Sequence, residues 1–402
     1  MKQRIESFDL LRGWAIMLMI LAHVNLIWLA EGDKWFYALQ YIILNPLGVP
    51  GFVFVSGLSF GFSAYLKQQK KWAKKDLHQY TFSRTMVIFI IALIFNLVGI
   101  FIHNDPWTHI WFWYILQTIA MCRLVGQAFL YQSRKVKTIV TIAFLALTPF
   151  LLDFLQALST ESAIGGALYF IAFNPVEANS IFFYFPFFLV GGVIGETVSE
   201  FLLYQKSAQE QNLEGQSAHP EIGKMLKIWF GSGIVCLTLG ILFGLQMQSE
   251  NFYWPLIEYI NTHPDWLITA APRLFALNSE AWLLYSMGWL LVVFSLLFYW
   301  VDIREKLPSV SFFVLYGRYS LTIYLVHYLY YLIPIELSYQ MFPIGFFAAA
   351  FIMYALVFLS DKFTKGKASI EFVVVLGANG LYDLIRGQPD WDIKAKLKAP
   401  RD

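Results

Sequence analysis

Charged residues are scarce in this chain of 402 residues. Only 14% of the residues are charged and 58% are hydrophobic, whereas an ordinary soluble domain carries about 25% charged residues. A soluble fold has no means of burying so much apolar surface. The net charge of +2 is also too small to indicate a nucleic-acid partner. The composition therefore excludes a soluble class and a nucleic-acid-binding class, and it indicates an integral membrane protein.

Several other features are missing from the sequence. The two cysteines, Cys122 and Cys236, lie inside apolar runs, so disulfides are not expected. Asp9 and Arg12 interrupt any signal-peptide core near the N-terminus, so the first apolar segment is expected to stay attached. We find no internal repeat, no low-complexity tract, no metal-binding motif and no glycine-rich phosphate loop. The sequence therefore predicts one membrane domain that binds no metal.

Apolar runs long enough to cross a membrane recur along the whole chain. A hydrocarbon core of roughly 30 Å requires about 20 apolar residues per helix. This criterion predicts an all-α fold, a polytopic membrane bundle of about ten transmembrane helices. The predicted spans are residues 8–30, 48–66, 85–103, 111–131, 138–156, 180–203, 225–246, 281–300, 312–334 and 341–360. Residues 1–362 form the predicted membrane domain, and residues 363–402 form a cytoplasmic tail, with an eleventh span as the alternative.

Lysine and arginine residues cluster in the segments that follow the even-numbered spans. These residues include Lys67, Lys70, Lys71, Lys74, Lys75, Arg84, Arg134, Lys135, Lys137, Lys206, Lys224, Lys227, Arg304, Lys306, Lys362, Lys365 and Lys367. The opposite side receives only Lys34 and Arg273. Because positively charged loops stay in the cytoplasm, both termini are predicted to be cytoplasmic. The aromatic-rich segment 247–280 is then external, where it either covers a pocket or forms an interfacial belt.

The first predicted span carries a polar face. Asp9, Arg12 and His23 are separated by 3 and 11 residues, which places them within roughly 40° of one another on a helix. Ionisable groups inside hydrocarbon are costly, so each suggests a functional site. Arg12 lies near the cytoplasmic boundary, and His23 lies about 22 Å from the start of the span. The alternative for His23 is a histidine that is hydrogen-bonded to a neighbouring helix for packing.

The ninth predicted span carries a second polar face. Ser320, Tyr324 and His327 lie at positions i, i+4 and i+7. His327 is predicted to reach the same depth as His23, so the two imidazoles are expected to meet in one cavity. Asp153 is a further candidate for that layer, and a packing role for His327 stays open. Arg123 and Asp153 are interpreted as structural residues and not as catalysts.

Three sequence motifs carry a family resemblance. They are Phe-Asp-Leu-Leu-Arg-Gly at residues 8–13 with the downstream His23, Pro-Gly-Phe-Val-Phe-Val-Ser-Gly at residues 50–57, and Gly-Arg-Tyr-Ser-Leu-Thr-Ile-Tyr-Leu-Val-His at residues 317–327. Their order along the chain resembles that of the transmembrane acyltransferase superfamily, including acyltransferase family 3. Residues 113–117 and 184–191 look most similar to bacterial relatives of heparan-alpha-glucosaminide N-acetyltransferase. The tail at residues 366–371 also resembles another branch of bacterial membrane proteins.

The resemblance implies an enzyme that transfers an acyl group. In such proteins acetyl from cytoplasmic acetyl-CoA, the donor substrate, passes to a hydroxyl or amine of a glycan or glycoconjugate at the outer face. The implied activity is O- or N-acetyl transfer in the cell membrane, which for a bacterial relative is the inner membrane. The lysosomal enzyme has a functional histidine in the loop after its first span, but no histidine occurs between Leu29 and Gly48. If the chemistry is shared, the resemblance implies that His23 fills that role, and the heparan substrate is not carried over.

The predicted site residues follow from the two polar faces and the resemblance. His23 is the predicted base, with a transient acyl carrier as the alternative, because an imidazole changes protonation near neutral pH. Arg12 is predicted to position the donor, because its planar charged fork suits phosphate groups, and Asp9 is predicted to orient Arg12. Ser56 is predicted to donate a hydrogen bond to the thioester carbonyl. The substrate-binding residues are predicted to be Ser56, Gly57, Arg318, Ser320, Tyr324 and His327.

Two points stay open at the level of sequence. A transporter or flippase without acyl transfer would also place ionisable residues along a path inside the membrane. Ser56 and Gly57 would serve equally for close helix packing, because small residues let membrane helices approach. The expected partners are membrane lipid, acyl-CoA and a carbohydrate acceptor. The sequence is also compatible with an oligomer of this chain.

Overall fold

The computed structural model describes residues 5–103, 106–173, 180–210, 222–248, 271–272, 279–305 and 311–387. Apart from one pair of two-residue strands, β1 (Met247–Gln248) and β2 (Ala271–Pro272), these residues form helices and their connections. The helices are α1 (Glu6–Trp28), α2 (Lys34–Leu47), α3 (Val49–Gln69), α4 (Lys74–His103), α5 (Ile115–Gly126), α6 (Arg134–Glu161), α7 (Ala163–Phe173), α8 (Ile181–Glu210), α9 (Ile222–Phe243), α10 (Glu280–Leu297), α11 (Ser311–Arg318), α12 (Ser320–Val326), α13 (Phe342–Thr364) and α14 (Ile370–Ile385). Most of the predicted external segment 247–280 and the tail beyond residue 387 lie outside this part of the chain.

Eight of the described helices are long and apolar enough to cross a membrane. They are α1, α3, α4, α6, α8, α9, α10 and α13. Large apolar side chains such as Phe150 and Phe351 are exposed on the outer helices, as contact with lipid requires. The prediction of an all-α polytopic membrane bundle is confirmed. The predicted fourth span contains only the short helix α5 and a 3-10 turn, Gln127–Phe129.

The predicted ninth span is not one helix. It is divided into α11, α12 and the 3-10 segment His327–Leu332. Gly13 lies against Phe313, Gly317 lies against Asp9, and His23 contacts His327, so residues with numbers about 304 apart are neighbours and α11 runs parallel to α1. The helix is interrupted at Tyr319, whose N–H still donates to the Leu315 carbonyl oxygen and whose carbonyl oxygen accepts from Ile323, and α12 continues in the same direction to His327. The expectation of a continuous helix was wrong, because apolar composition alone does not reveal where a helix is interrupted.

The centre of the bundle is formed by α3, α8 and α10. In the most apolar part of α8, 72% of the residues are buried, against 17% in α6. Gly57 and Gly61 of α3 face Gly191 and Gly195 of α8. A Cβ added to any of these four would lie 2.0 to 2.2 Å from a carbonyl oxygen of the other helix. We call this interface the glycine contact; it brings two helix backbones together as small residues allow.

Carboxylate and hydroxyl side chains complete the ends of several helices. The N-terminus of α1 has no side-chain cap of its own, but the carboxylate of Asp302 accepts hydrogen bonds from the backbone N–H groups of Glu6 (2.9 Å) and Ser7 (3.1 Å). Ser133, Ser279 and Ser369 cap their helices locally. The first N–H groups of a helix have no partner within it, so these acceptors fix where each helix begins.

The first part of the predicted tail packs on the bundle as α14. Its residues contact α4, where Arg386 lies 3.7 Å from Asp76 and Gly377 approaches Val87. At its other end, the Glu371 carboxylate accepts hydrogen bonds from the backbone N–H groups of Leu321 (2.7 Å) and Thr322 (3.1 Å). Glu371 thereby caps the N-terminus of α12, which leads to His327. The predicted domain boundary after residue 362 stays a prediction, but the residues up to Gly387 pack on the bundle.

Candidate functional site

Two histidines from distant parts of the sequence meet inside the bundle. Nδ1 of His23 lies 2.5 Å from Nε2 of His327, and the rings stack with centroids 4.7 Å apart and 9° between their planes. His327 is fully buried, and His23 is partly buried. The prediction that the two imidazoles meet is confirmed. The direct contact leaves no space for a substrate between them, so any reacting group must approach from another side of His23.

The hydrogen bonds around His327 define the tautomers of both rings. Nδ1 of His327 lies 3.2 Å from the carbonyl oxygen of Ile323, which can only accept, so this nitrogen carries the proton. Nε2 of neutral His327 is then an acceptor, and Nδ1–H of His23 donates to it. Nε2 of His23 is therefore left with a lone pair, and it has no hydrogen-bond partner among the described residues. A base needs such a nitrogen.

Tyrosine rings surround the histidine pair. The Tyr328 ring lies 5.3 Å from His23 and 4.5 Å from His327, and Tyr331 lies 6.3 Å from His23. Tyr324 is 5.7 Å from His327 and buried, as expected from its shared helical face. Sequence reasoning missed Tyr328 and Tyr331, although the run of aromatic residues after His327 was a usable signal. Tyr331 is 36% exposed, so this side of the pair lies close to the surface of the bundle.

Arg12 joins three helices at the other end of α1. Its NH1 group contacts Asp9 Oδ1 and the Gly317 carbonyl oxygen, each at 3.4 Å, and its NH2 group donates to Ser59 Oγ at 2.6 Å. The predicted pairing of Asp9 with Arg12 is confirmed. Ser59 was not identified from the sequence. Eleven residues separate Arg12 from His23, so the two lie about 16 Å apart along the helix axis.

The remaining predicted substrate-binding residues have different surroundings. Gly57 belongs to the glycine contact, which explains it as a packing residue. Ser56 is partly buried on α3, one turn from Ser59. Ser320 is buried at the start of α12, and Arg318 is exposed at the end of α11. Roles in binding for these four residues stay predictions.

The expectation that Asp153 joins the histidine layer was wrong. Asp153 is exposed on α6 and does not join the histidine layer. Arg123 is buried on α5 and lines a pocket with Lys67 and Arg84. Residue spacing predicts how far along a helix a side chain lies. It does not predict whether that face of the helix points toward the interior of the bundle or toward its surface.

This arrangement defines a class of protein: a polytopic membrane bundle with paired imidazoles in its interior. Near the N-terminus of α1, Arg12 and its contacts with Asp9, Ser59 and Gly317 form a second polar group, which we call the arginine centre. Residues 4–231 match the family described as heparan-alpha-glucosaminide N-acetyltransferase, catalytic. The match covers more than half of the chain, so the chain belongs to this family of membrane acetyltransferases. The matched part contains Arg12 and His23, whereas His327 lies beyond it. No curated protein matches the sequence.

Proposed function

We propose that this protein transfers an acetyl group from acetyl-CoA to a hydroxyl or amine of a glycan or glycoconjugate. The observation that carries the proposal is the oriented histidine pair, in which Nε2 of His23 has a lone pair and Nδ1–H is held by His327. A second group that fixes the tautomer of a base is the arrangement found in catalytic triads. Membership of an acetyltransferase family supports the same chemistry.

The proposed reaction is direct attack of the acceptor on the thioester. His23 Nε2 takes the proton of the acceptor hydroxyl or amine, and the acceptor oxygen or nitrogen bonds to the acetyl carbonyl carbon. The carbon–sulfur bond then breaks, and the proton passes from His23 to the departing CoA thiolate. His327 accepts the Nδ1–H hydrogen bond throughout, which stabilises the imidazolium while it exists. Acetyl transfer through a covalent acyl-histidine would use the same nitrogen.

Donor and acceptor are proposed to enter from opposite sides of the membrane. Arg12 lies at the end that positive charge predicts to be cytoplasmic, where it would hold the donor. His23 lies about 16 Å further along α1, a separation suited to the extended pantetheine arm of CoA. Tyr331, which stacks on Tyr328 beside His23, is the more exposed of the two rings and would be the one on which a sugar packs. The nucleotide would remain in the cytoplasm while the thioester reached the acceptor.

Release of free thiol from acetyl-CoA by the purified protein tests this proposal. The assay is run with a panel of amino sugars and neutral glycans, and with the His23→Ala variant. Loss of a general base lowers the rate by roughly 10²- to 10⁴-fold, so that range is expected. His78→Ala is the matched control, because His78 packs against Tyr131 away from the histidine pair. Full activity in His23→Ala would contradict the proposed base.

One observation favours the alternative of transport without chemistry. The interruption between α11 and α12 resembles the broken helices at which many transporters bind substrate. A transporter would move a labelled glycan or acyl donor across proteoliposomes without consuming thioester. Transport with no thiol release over the whole acceptor panel would therefore replace the proposed function by this one.

A further inference from the structure

A pocket with three cationic side chains lies between α3, α4 and α5. Its described lining includes Lys67, Arg84 and Arg123, together with Tyr80, and it contains no carboxylate. Ser59 also lines the pocket. Since Ser59 accepts a hydrogen bond from Arg12, the pocket adjoins the arginine centre of α1. Neither the family match nor the proposed reaction assigns a role to this cluster.

Arg123 is the most informative member of the cluster. It is only 9% exposed, and its guanidinium lies 5.3 Å from the centroid of the Phe60 ring. Its Nε–H is buried and has no hydrogen-bond partner within the described part of the chain. Buried charges in proteins are normally paired or bound to a ligand. The unsatisfied donor in the wall of a pocket therefore indicates that an acceptor from outside the chain belongs there.

The other two cations lack a carboxylate partner as well. Lys67 donates to Ser63 Oγ at 2.7 Å and lies 4.5 Å from the Tyr80 ring, and Arg84 is hydrogen-bonded to Tyr80. No carboxylate among the described residues lies within 4.0 Å of Lys67, Arg84 or Arg123. By contrast, Arg134 and Lys137 nearby are paired with Glu200 and Glu196. Three like charges around one pocket repel each other unless an anion lies between them.

The size of the pocket limits the anion. Its volume is about 50 Å³, and one water requires roughly 10 to 15 Å³ by the same measure. It therefore accommodates a group of a few heavy atoms, such as a phosphate, but not a nucleotide base. Arginine forks and a lysine ammonium are the groups that proteins use for phosphate oxygens.

We propose that Lys67, Arg84 and Arg123 form a binding site for a phosphate group of the acyl-CoA donor. The assignment of the donor rests on the proposed function, whereas the preference for a phosphate rests on the pocket alone. Binding here would hold the nucleotide end of CoA beside Arg12 and leave its pantetheine arm directed along α1 toward His23. The site would then select phosphorylated donors over a bare thioester.

The test compares acetyl-CoA with S-acetylpantetheine, which carries the same thioester without phosphates. Arg84→Gln and Arg123→Gln are each expected to raise the KM for acetyl-CoA about 10- to 100-fold, the usual effect of losing a charge-assisted hydrogen bond. The KM for S-acetylpantetheine should not change. Lys75→Gln is the control, because Lys75 is an exposed cation on the same helix as Arg84 and outside the pocket. Arg84 is partly exposed, so its variant is expected to fold even where the Arg123 variant does not.

Direct binding separates this inference from the proposed function. CoA affinity of the purified protein is measured by calorimetry, with pyrophosphate and with phosphatidic acid in mixed micelles as competitors. Arg84-dependent CoA binding without any acetyl transfer would support the pocket and overturn the proposed function. Acetyl transfer with an unchanged KM in both arginine variants would overturn the pocket and leave the function standing. Arg84-dependent binding of phosphatidic acid but not of CoA would assign the site to a lipid headgroup and overturn the proposal.

Discussion

His23 and His327, which are 304 residues apart in sequence, are joined by a 2.5 Å contact between Nδ1 of the first ring and Nε2 of the second. The contact is directional, because the Ile323 carbonyl oxygen fixes the proton of His327 on the far side of its ring. His23 is thereby oriented with its Nε2 lone pair pointing away from His327. His327 is interpreted as the residue that positions His23 for catalysis.

The orientation of His23 predicts different outcomes for two substitutions of His327. In His327→Gln the terminal amide occupies the place of Nε2 and is able to accept from His23, whereas in His327→Asn it occupies the place of Nδ1. A wrong tautomer at a triad histidine lowers turnover severely, so the Gln variant should be at least about tenfold more active than the Asn variant. Single-turnover acetyl transfer measures this difference. Equal activities would assign His327 to packing.

Substitution of Arg12 by lysine tests the arginine centre. The guanidinium contacts Asp9, Ser59 and the Gly317 carbonyl oxygen at once, and a lysine cannot reproduce the planar fork. Arg12→Lys is therefore expected to raise the KM for acetyl-CoA about tenfold with a smaller change in kcat. Initial rates over a range of acetyl-CoA concentrations measure this effect. A fall in kcat with an unchanged KM would show that Arg12 acts through the packing of the helices.

The glycine contact predicts a position-specific loss of stability. Gly57→Ala places a methyl group 2.1 Å from the Phe188 carbonyl oxygen, and the two backbones must separate. Overpacking typically costs about 1 to 3 kcal/mol, so the apparent Tm in detergent should fall by several degrees. Gly231→Ala is the matched control, since nothing lies within 4 Å of its added Cβ. An unchanged Tm in Gly57→Ala would contradict the close approach of α3 and α8.

The cap on α12 predicts that the C-terminal segment influences the histidine pair. Glu371→Ala removes the acceptor for the N–H groups of Leu321 and Thr322, and capping carboxylates contribute about 0.5 to 2 kcal/mol. We expect a lower apparent Tm and reduced turnover, because α12 positions His327. Glu161→Gln, at an exposed position on α6, is the control. Turnover equal to that of the unmodified protein would show that α12 keeps its position without the cap.

The distribution of lysine and arginine predicts the orientation in the membrane. Reporter fusions after Gln248 and after Lys367 are expected to report opposite sides, with the second in the cytoplasm. The measurement is the activity of a reporter that functions on one side only. The same side at both positions would remove the basis for a cytoplasmic donor and an external acceptor.

Sequence reasoning reached the histidine pair but not the interruption in the helix that carries His327. The spacing of Asp9, Arg12 and His23 located one polar face correctly, because helical periodicity is a local property. The interruption at Tyr319 was not predictable in this way, since the Glu371 carboxylate that caps α12 comes from a distant segment. The cationic pocket was missed for a similar reason. Its three cations come from three different helices, and only their packing makes them neighbours.

The glycine contact also determines which parts of the bundle are free to move. Where carbonyl oxygens of one helix rest on the Cα atoms of another, no layer of side chains remains that can slide or change rotamer. α3 and α8 should therefore travel as a single rigid body during turnover. Ser59 and Lys67 belong to α3, so that wall of the pocket should move together with α8, and the walls formed by α4 and α5 lie outside this rigid pair. α14 packs along α4 and should therefore restrain any movement of the α4 wall relative to the rigid pair.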